Sequence, residues 1–186
     1  MLTLTLPEME EKRSVWKETL NYGLILGLIS IVFSVLTYML DVTGKPWIIV
    51  PSLIISIVVL FLLLRSYRDT YNHGYISYGK ALGAGVVINI YAAILTAIYI
   101  YILYGFIDPG LVDKQMLDAE EKLIARGMPE GSIDTALQMQ AKFMKPWFMA
   151  LSSVFSAAFF GFILSLIVSL FIKKEGNPLL EDEVKE

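Results

Sequence analysis

Four stretches of this chain contain no charged residue: 20–40, 47–64, 81–107 and 146–172. A helix needs roughly 20 residues to cross the ~30 Å hydrocarbon layer of a bilayer, with a lower limit near 17. Water is absent from that layer, so a spanning backbone must satisfy its own N–H and C=O groups as a helix. The pattern therefore predicts an all-α membrane protein with four transmembrane helices. Composition agrees: 56% of the 186 residues are hydrophobic and mean hydropathy is +0.63. Soluble domains sit nearer 45–50% apolar. The length fits a single membrane domain over 1–186.

Other classes of function are excluded by what the chain lacks. A net charge of -3 gives no basic surface of the kind a nucleic acid requires. No cysteine is present, which removes disulfides and thiolate-held metals, and the single His73 cannot build a histidine cluster. No cofactor is expected. Lys12, Arg13 and Lys17 precede the first apolar run as they would in a secretory leader. That run is longer than a leader's apolar core and ends without a small-residue cleavage site, so it reads as a retained first helix.

Basic residues set the orientation. Of the 15 Lys and Arg, nine fall at the N-terminus (Lys12, Arg13, Lys17), in the second loop (Arg65, Arg68, Lys80) and in the tail (Lys173, Lys174, Lys185). The other six, Lys45, Lys114, Lys122, Arg126, Lys142 and Lys145, lie on the opposite side and are spread more thinly. Both termini are thus expected in the cytoplasm. Trp16, Trp47 and Trp147 stand at or before span starts, where amphipathic rings favour the headgroup level. The third and fourth spans are about 40 Å each at 1.5 Å per residue, so they must tilt or protrude.

Close helix contact in lipid depends on small residues. Gly23, Gly27, Ser30, Ser34 and Thr37 line the first span; Gly85, Asn89, Ala93 and Ala97 the third; Ser153, Ala157, Gly161, Ser165 and Ser169 the fourth. The second span offers only Ser52 and Ser56. Spans one, three and four are expected to form the close-packed core, with the second more exposed to lipid or a partner. Internal packing is the plain reading of the small-residue rows; an oligomer or partner interface is the sharper one.

Residues 108–145 are too long for a bare turn and read as a helical hairpin outside the membrane. Asp108-Pro109 looks like an N-cap followed by proline at the first helical position. Val112, Met116, Ala119 and Leu123 form an apolar stripe, and Arg126-Gly127 a stop. Ser132 is expected to cap the second helix, whose stripe (Ile133, Leu137, Ala141, Met144, Phe148) runs into the fourth span. Asp108, Asp113, Asp118, Glu120, Glu121, Glu130 and Asp134 decorate the hairpin, as a solvated face or as a docking module.

The second loop is the densest region. Arg65 and Arg68 share a helical face, and Asp69 is placed to pair with Arg65 at i,i+4. Asn72-His73-Gly74 looks like a helix stop. Basic residues among tyrosines suit anionic headgroups, at about 1 kcal/mol per basic residue near that surface. Arg65, Arg68, Asp69, Tyr75 and Lys80 are therefore candidate contacts for a headgroup or partner; the plainer reading is an interfacial anchor. Inside the spans, no Asp, Glu, Lys, Arg or His occurs. Such residues mark ion and proton routes, so a proton-coupled carrier built from one chain is disfavoured. Asn89 is the candidate intramembrane polar contact, with Ser30, Ser34, Ser156 or Ser165 as its expected partner.

Tyr22-Gly23-Leu24-Ile25-Leu26-Gly27, Arg68-Asp69, Gly74-Tyr75-Ile76-Ser77-Tyr78-Gly79-Lys80-Ala81 and Ile107-Asp108-Pro109 together resemble a bacterial four-span membrane family, domain of unknown function forty-one ninety-nine. The resemblance covers nearly the whole chain. It implies four spans and a Gram-negative inner-membrane location, and it carries over no catalytic residue. The functional expectation is a non-enzymatic accessory, scaffold or assembly subunit. It would act on the lipid bilayer, on a membrane-protein partner or by self-association. The alternative is a small oligomeric transporter or channel for an unidentified solute. An intramembrane enzyme ranks last, because no nucleophile–base pair falls within the spans.

Overall fold

The computed structural model describes residues 14–176. Lys12, Arg13 and Lys185, counted above for orientation, lie outside the described residues. Among the described residues there are six α-helices and no strand, and four helices are long and apolar enough to cross a membrane. Helix α1 spans Val15–Met39; a 3-10 turn at Pro46–Ile48 leads into α2, Ile49–Tyr71. Helix α3 runs Tyr78–Ile102 and continues as a π-helical segment, Leu103–Ile107. Helices α4 (Gly110–Ala125) and α5 (Glu130–Phe143) pair with each other, and α6 covers Pro146–Ile172.

Three of the long helices extend past the charge-free stretches, α3 by its first three residues, which include Lys80. Helix α1 begins five residues earlier than the apolar run, so it carries Lys17 and Glu18 in its first turn. Helix α2 carries Arg65, Arg68 and Asp69 on its last two turns, which leaves only residues 72–77 between α2 and α3. The stop is the expected one: His73 and Gly74 adopt φ of 50° and 82°, and Gly74 N–H returns to the Arg68 carbonyl at 3.2 Å. Gly127, at φ 71°, ends α4 in the same manner, with Gly127 N–H on the Ile124 carbonyl and Met128 N–H on that of Leu123.

The two caps expected for the α4–α5 pair differ. The helix begins at Gly110 and Asp108 makes no cap bond. Its carboxylate instead accepts the Tyr38 hydroxyl at 3.1 Å, a tertiary bond from α1. Ser132 is inside α5, which starts at Glu130. Pro129 sets the entry with φ of −61° and ψ of 143°, and its carbonyl takes the N–H of both Ser132 and Ile133. Glu130 supplies the negative charge that a helix start favours. The α5 stripe breaks at Met144, so α6 begins afresh with Pro146 at its first position.

Helix α3 is the axis of the bundle, packed along most of its length against α1 and α6 on neighbouring faces. Glycines set these approaches. A Cβ on Gly27 would lie 3.2 Å from Ala92 Cα and 2.9 Å from Leu95 Cδ2; one on Gly23 would collide with Tyr91 Cβ. On the other face, a Cβ on Gly85 would lie 2.7 Å from Ser165 Oγ, and one on Gly161 2.5 Å from Asn89 Cβ. Helix α2 divides into two halves. Ile49, Val50, Leu53, Ile54 and Val58 are exposed, whereas Leu60, Leu63, Leu64 and Tyr67 are buried in the main core. The expectation of an exposed second span thus holds for its first half alone. The stripe 60, 63, 64, 67 is a helical one, masked in the sequence because the residues around it are equally apolar.

The outward faces carry Leu20, Leu24, Leu28, Val32 and Leu36 on α1 and Phe155, Phe159, Phe160, Phe162 and Phe171 on α6. Apolar surface this extensive is what acyl chains cover.

Gly27→Leu should separate α1 from α3, because the Ala92 backbone already stands within 3.2 Å of a Cβ there and a leucine side chain extends well beyond it. We expect a loss of about 1–3 kcal/mol, the range for overpacking, in reversible detergent unfolding. Gly83→Leu, with nothing within 4 Å of its Cβ position, should change stability by no more than about 0.5 kcal/mol.

Candidate functional site at the loop and tail

The short α2–α3 connection is held from both sides. Ile76 is 3% exposed and drops into the main core with Leu60, Leu64, Tyr67 and Ile172. Burial of that side chain fixes the backbone on either side of it. Ile76 N–H then donates to the Lys174 carbonyl and Lys174 N–H to that of Ile76, both at 3.0 Å, as an antiparallel bridge. The tail after α6 is thereby tied to the loop before α3. Ser77 follows with φ of −70° and ψ of 155°, and its Oγ accepts the Lys80 N–H as the N-cap of α3.

Arg68 reinforces the junction. Its Nε donates to Asp69 Oδ1 at 2.8 Å and its Nη1 to the Ile172 carbonyl at 3.3 Å. That carbonyl is one of the orphan acceptors at the C-terminus of α6, where a cation is also favoured by the helix dipole. Asp69 thus pairs chiefly with Arg68. Arg65 stands at 3.9 Å with its side chain 60% exposed, too solvated to contribute much. Tyr67, fully buried, donates its hydroxyl to Glu18 Oε2 at 2.9 Å, joining the start of α1 to the same end.

Between loop and tail lies a hollow of about 300 Å³, bounded by Asn72, Tyr75, Ile76, Ser77, Lys80, Lys174, Glu175 and Gly176. Lys174 Nζ sits 4.8 Å above the Tyr75 ring, within cation–π range. Gly176 lies so close to that ring that a Cβ there would come within 2.5 Å of Tyr75 Cε1.

Of the residues singled out from the sequence, Tyr75 and Lys80 line this hollow, Arg68 and Asp69 brace its base, and Arg65 stands apart. Asn89 is deep in the bundle. Its Nδ2 donates to the Gly85 carbonyl at 2.9 Å and to Ser165 Oγ at 3.3 Å, and Ser165 in turn donates to the Gly161 carbonyl at 2.7 Å. Ser165 is the partner among the four expected. Sequence reasoning missed Lys174 as a neighbour of Lys80, since only the bridge to Ile76 brings the tail there. The one available signal was a lone aliphatic residue inside the polar run Tyr75-Ile76-Ser77.

The opposite end has its own polar ties. Besides Tyr38 and Asp108, Gln115 Nε2 donates to Tyr104 Oη at 2.6 Å. A cleft of about 520 Å³ opens there between α1, α3 and α6, lined by Ser34, Thr43, Tyr104, Ser152, Ser153 and Ser156 together with Ile100, Leu103 and Met149. Among the described residues, no group of three His, Cys, Asp or Glu is placed to hold a metal ion.

These features define an all-helical membrane protein with four long apolar helices and a polar junction at one end. The chain belongs to the family described as "Protein of unknown function (DUF4199)", whose model matches residues 21–174. No curated protein and no solved structure matches it.

Two measurements probe the packing of this site. In a double-mutant cycle, Asn89→Leu and Ser165→Ala should couple by about 0.6 kcal/mol, the mean for hydrogen bonds in membrane bundles. Ile76→Ala should cost about 2–5 kcal/mol as a buried aliphatic truncation, and the Lys174 amide should lose protection from hydrogen exchange.

Proposed function

We propose that this protein is a non-enzymatic membrane subunit that acts through contacts, as an accessory, scaffold or assembly factor. The observation that carries this reading is the Ile76–Lys174 bridge, which joins loop and tail into one fixed basic surface. A rigid surface loses little conformational entropy on docking. The use of Asn89 as a clasp between α3 and α6 supports the same reading, because its amide is engaged in packing. In this reading the bundle sits in a bacterial inner membrane with both termini in the cytoplasm. The α4–α5 pair lies outside the bilayer on the other side, with its acidic residues in water. Lys17, Arg65, Arg68, Lys80, Lys173 and Lys174 then face the anionic leaflet.

A second reading, a small oligomeric transporter or channel, is favoured by one observation: the hydroxyl-lined cleft between α1, α3 and α6. Uncharged hydroxyls in a cleft reaching into the bundle suit a neutral polar solute.

Proximity labelling from each terminus, combined with crosslinking in the native membrane, tests the first reading. We expect a reproducible membrane-protein neighbour, with cytoplasmic proteins labelled from both ends. Absence of any stable neighbour, together with solute flux in liposomes that Ser153→Leu abolishes, would favour the second.

A further inference from the structure

We propose that the hollow between the α2–α3 loop and the tail is a binding site for the phosphate group of an anionic phospholipid. This inference rests on the reading of that end of the molecule as the headgroup-level, contact-making end, and it assigns a ligand class to it.

Three independent features converge. The first is charge without an ion-pair partner, although Lys174 also rests on the Tyr75 ring. Lys80 and Lys174 both line the hollow, both are exposed, and neither forms an ion pair among the described residues. Arg68, by contrast, is occupied by Asp69 and the Ile172 carbonyl. The Glu175 carboxylate also borders the hollow, so its two lysines leave the lining net positive, matched to a phosphodiester of single negative charge. The second is a set of donors held in place. Ser77 accepts the Lys80 N–H, which leaves its own hydroxyl proton to donate outward. The Asn72 amide is anchored on Tyr67, to its carbonyl at 3.5 Å and to its side chain, and stands at the edge of the hollow. Both residues are fixed by the buried Ile76 and by the bridge to Lys174.

The third is position. The hollow is bracketed by the ends of three of the long apolar helices: α2 ends at Tyr71, α3 starts at Tyr78 and α6 ends at Ile172. Three helix ends at one level mark the plane where hydrocarbon gives way to headgroups, which is where a lipid phosphate resides. Tyr75, held between Gly176 and the Lys174 ammonium, offers an amphipathic ring at that level. A free phosphate in the cytoplasm would satisfy the same donors. The lipid is favoured because its acyl chains would lie against the exposed apolar faces of the helices that frame the hollow.

The full chain, purified in neutral detergent, should be titrated in native mass spectrometry with dioctanoyl phosphatidylglycerol, dioctanoyl phosphatidylcholine and inorganic phosphate. We expect saturable binding of one phosphatidylglycerol at concentrations at least tenfold below those needed for phosphatidylcholine or phosphate. Lys80→Gln with Lys174→Gln should weaken it by roughly 30-fold, equivalent to about 2 kcal/mol at 1.4 kcal/mol per decade. Lys80→Arg with Lys174→Arg should retain it. Lys45→Gln with Lys122→Gln, which removes the same charge at the other end of the molecule, should leave it unchanged.

Equal binding of the two lipids, or a Lys80/Lys174 double variant that binds like the parent, would overturn the site. Inorganic phosphate that binds as tightly as phosphatidylglycerol would replace the lipid with a soluble phosphate and overturn the lipid assignment. Loss of the lipid site with labelled neighbours intact would refute this inference alone. An intact lipid site without a neighbour would refute the contact-subunit reading instead.

Discussion

Lipid tails are as apolar as leucine, so helices inside a bilayer gain little by hiding apolar surface from one another. What holds α1, α3 and α6 together is close approach of their backbones, and glycine makes that approach possible. Gly23 and Gly27 admit Tyr91, Ala92 and Leu95; Gly85 and Gly161 admit Ser165 and Asn89. The Asn89 amide bonds across the second of these contacts, to Ser165 on α6. Because α3 makes both contacts, its position fixes everything at its two ends. The loop and tail meet at its start, and the π-helical turn and the α4–α5 pair follow its finish.

The two ends are secured differently. At the start of α3 the ties are dense and partly buried: Ile76 in the core, the bridge to Lys174, Arg68 on the Ile172 carbonyl of α6 and Tyr67 on Glu18. The main core sits here, and α2 joins it with Leu60, Leu63, Leu64 and Tyr67. At the finish of α3 the core is smaller, built on Leu103, Tyr104 and Leu111, and a hydroxyl-lined cleft separates α1 from α6. A bundle gripped at one end and parted at the other offers two kinds of surface. One is rigid and basic. The other includes an open cleft lined by uncharged hydroxyls. The proposed contact role draws on the first and the transporter alternative on the second.

Hydrophobic stretches and punctuation were legible in the sequence, because each depends on neighbours along the chain. The four spans, the stops at Asn72-His73-Gly74 and Arg126-Gly127, and the small-residue rows on α1 and α3 all follow from local rules. Caps were less legible. Asp108 and Ser132 have the right chemistry for helix starts, yet Asp108 is taken by Tyr38, 70 positions away, and Pro129 already sets the entry to α5. Half of the candidate site was visible as Tyr75 and Lys80; the other half was not, since Lys174 arrives there only through the fold.

The amino-acid order by itself determined that this polypeptide forms four helices long and apolar enough to cross a membrane, since length and apolarity alone decide whether a segment can leave water. Which face of each helix meets which neighbour was decided by tertiary structure. Inside a uniformly apolar segment the pattern carries no contrast, so the stripe of α2 could be seen only once α6 lay against it. The meeting of Ile76 with Lys174 was settled in the same way: residues 98 positions apart come together because three helices end at one level, and no local rule encodes that.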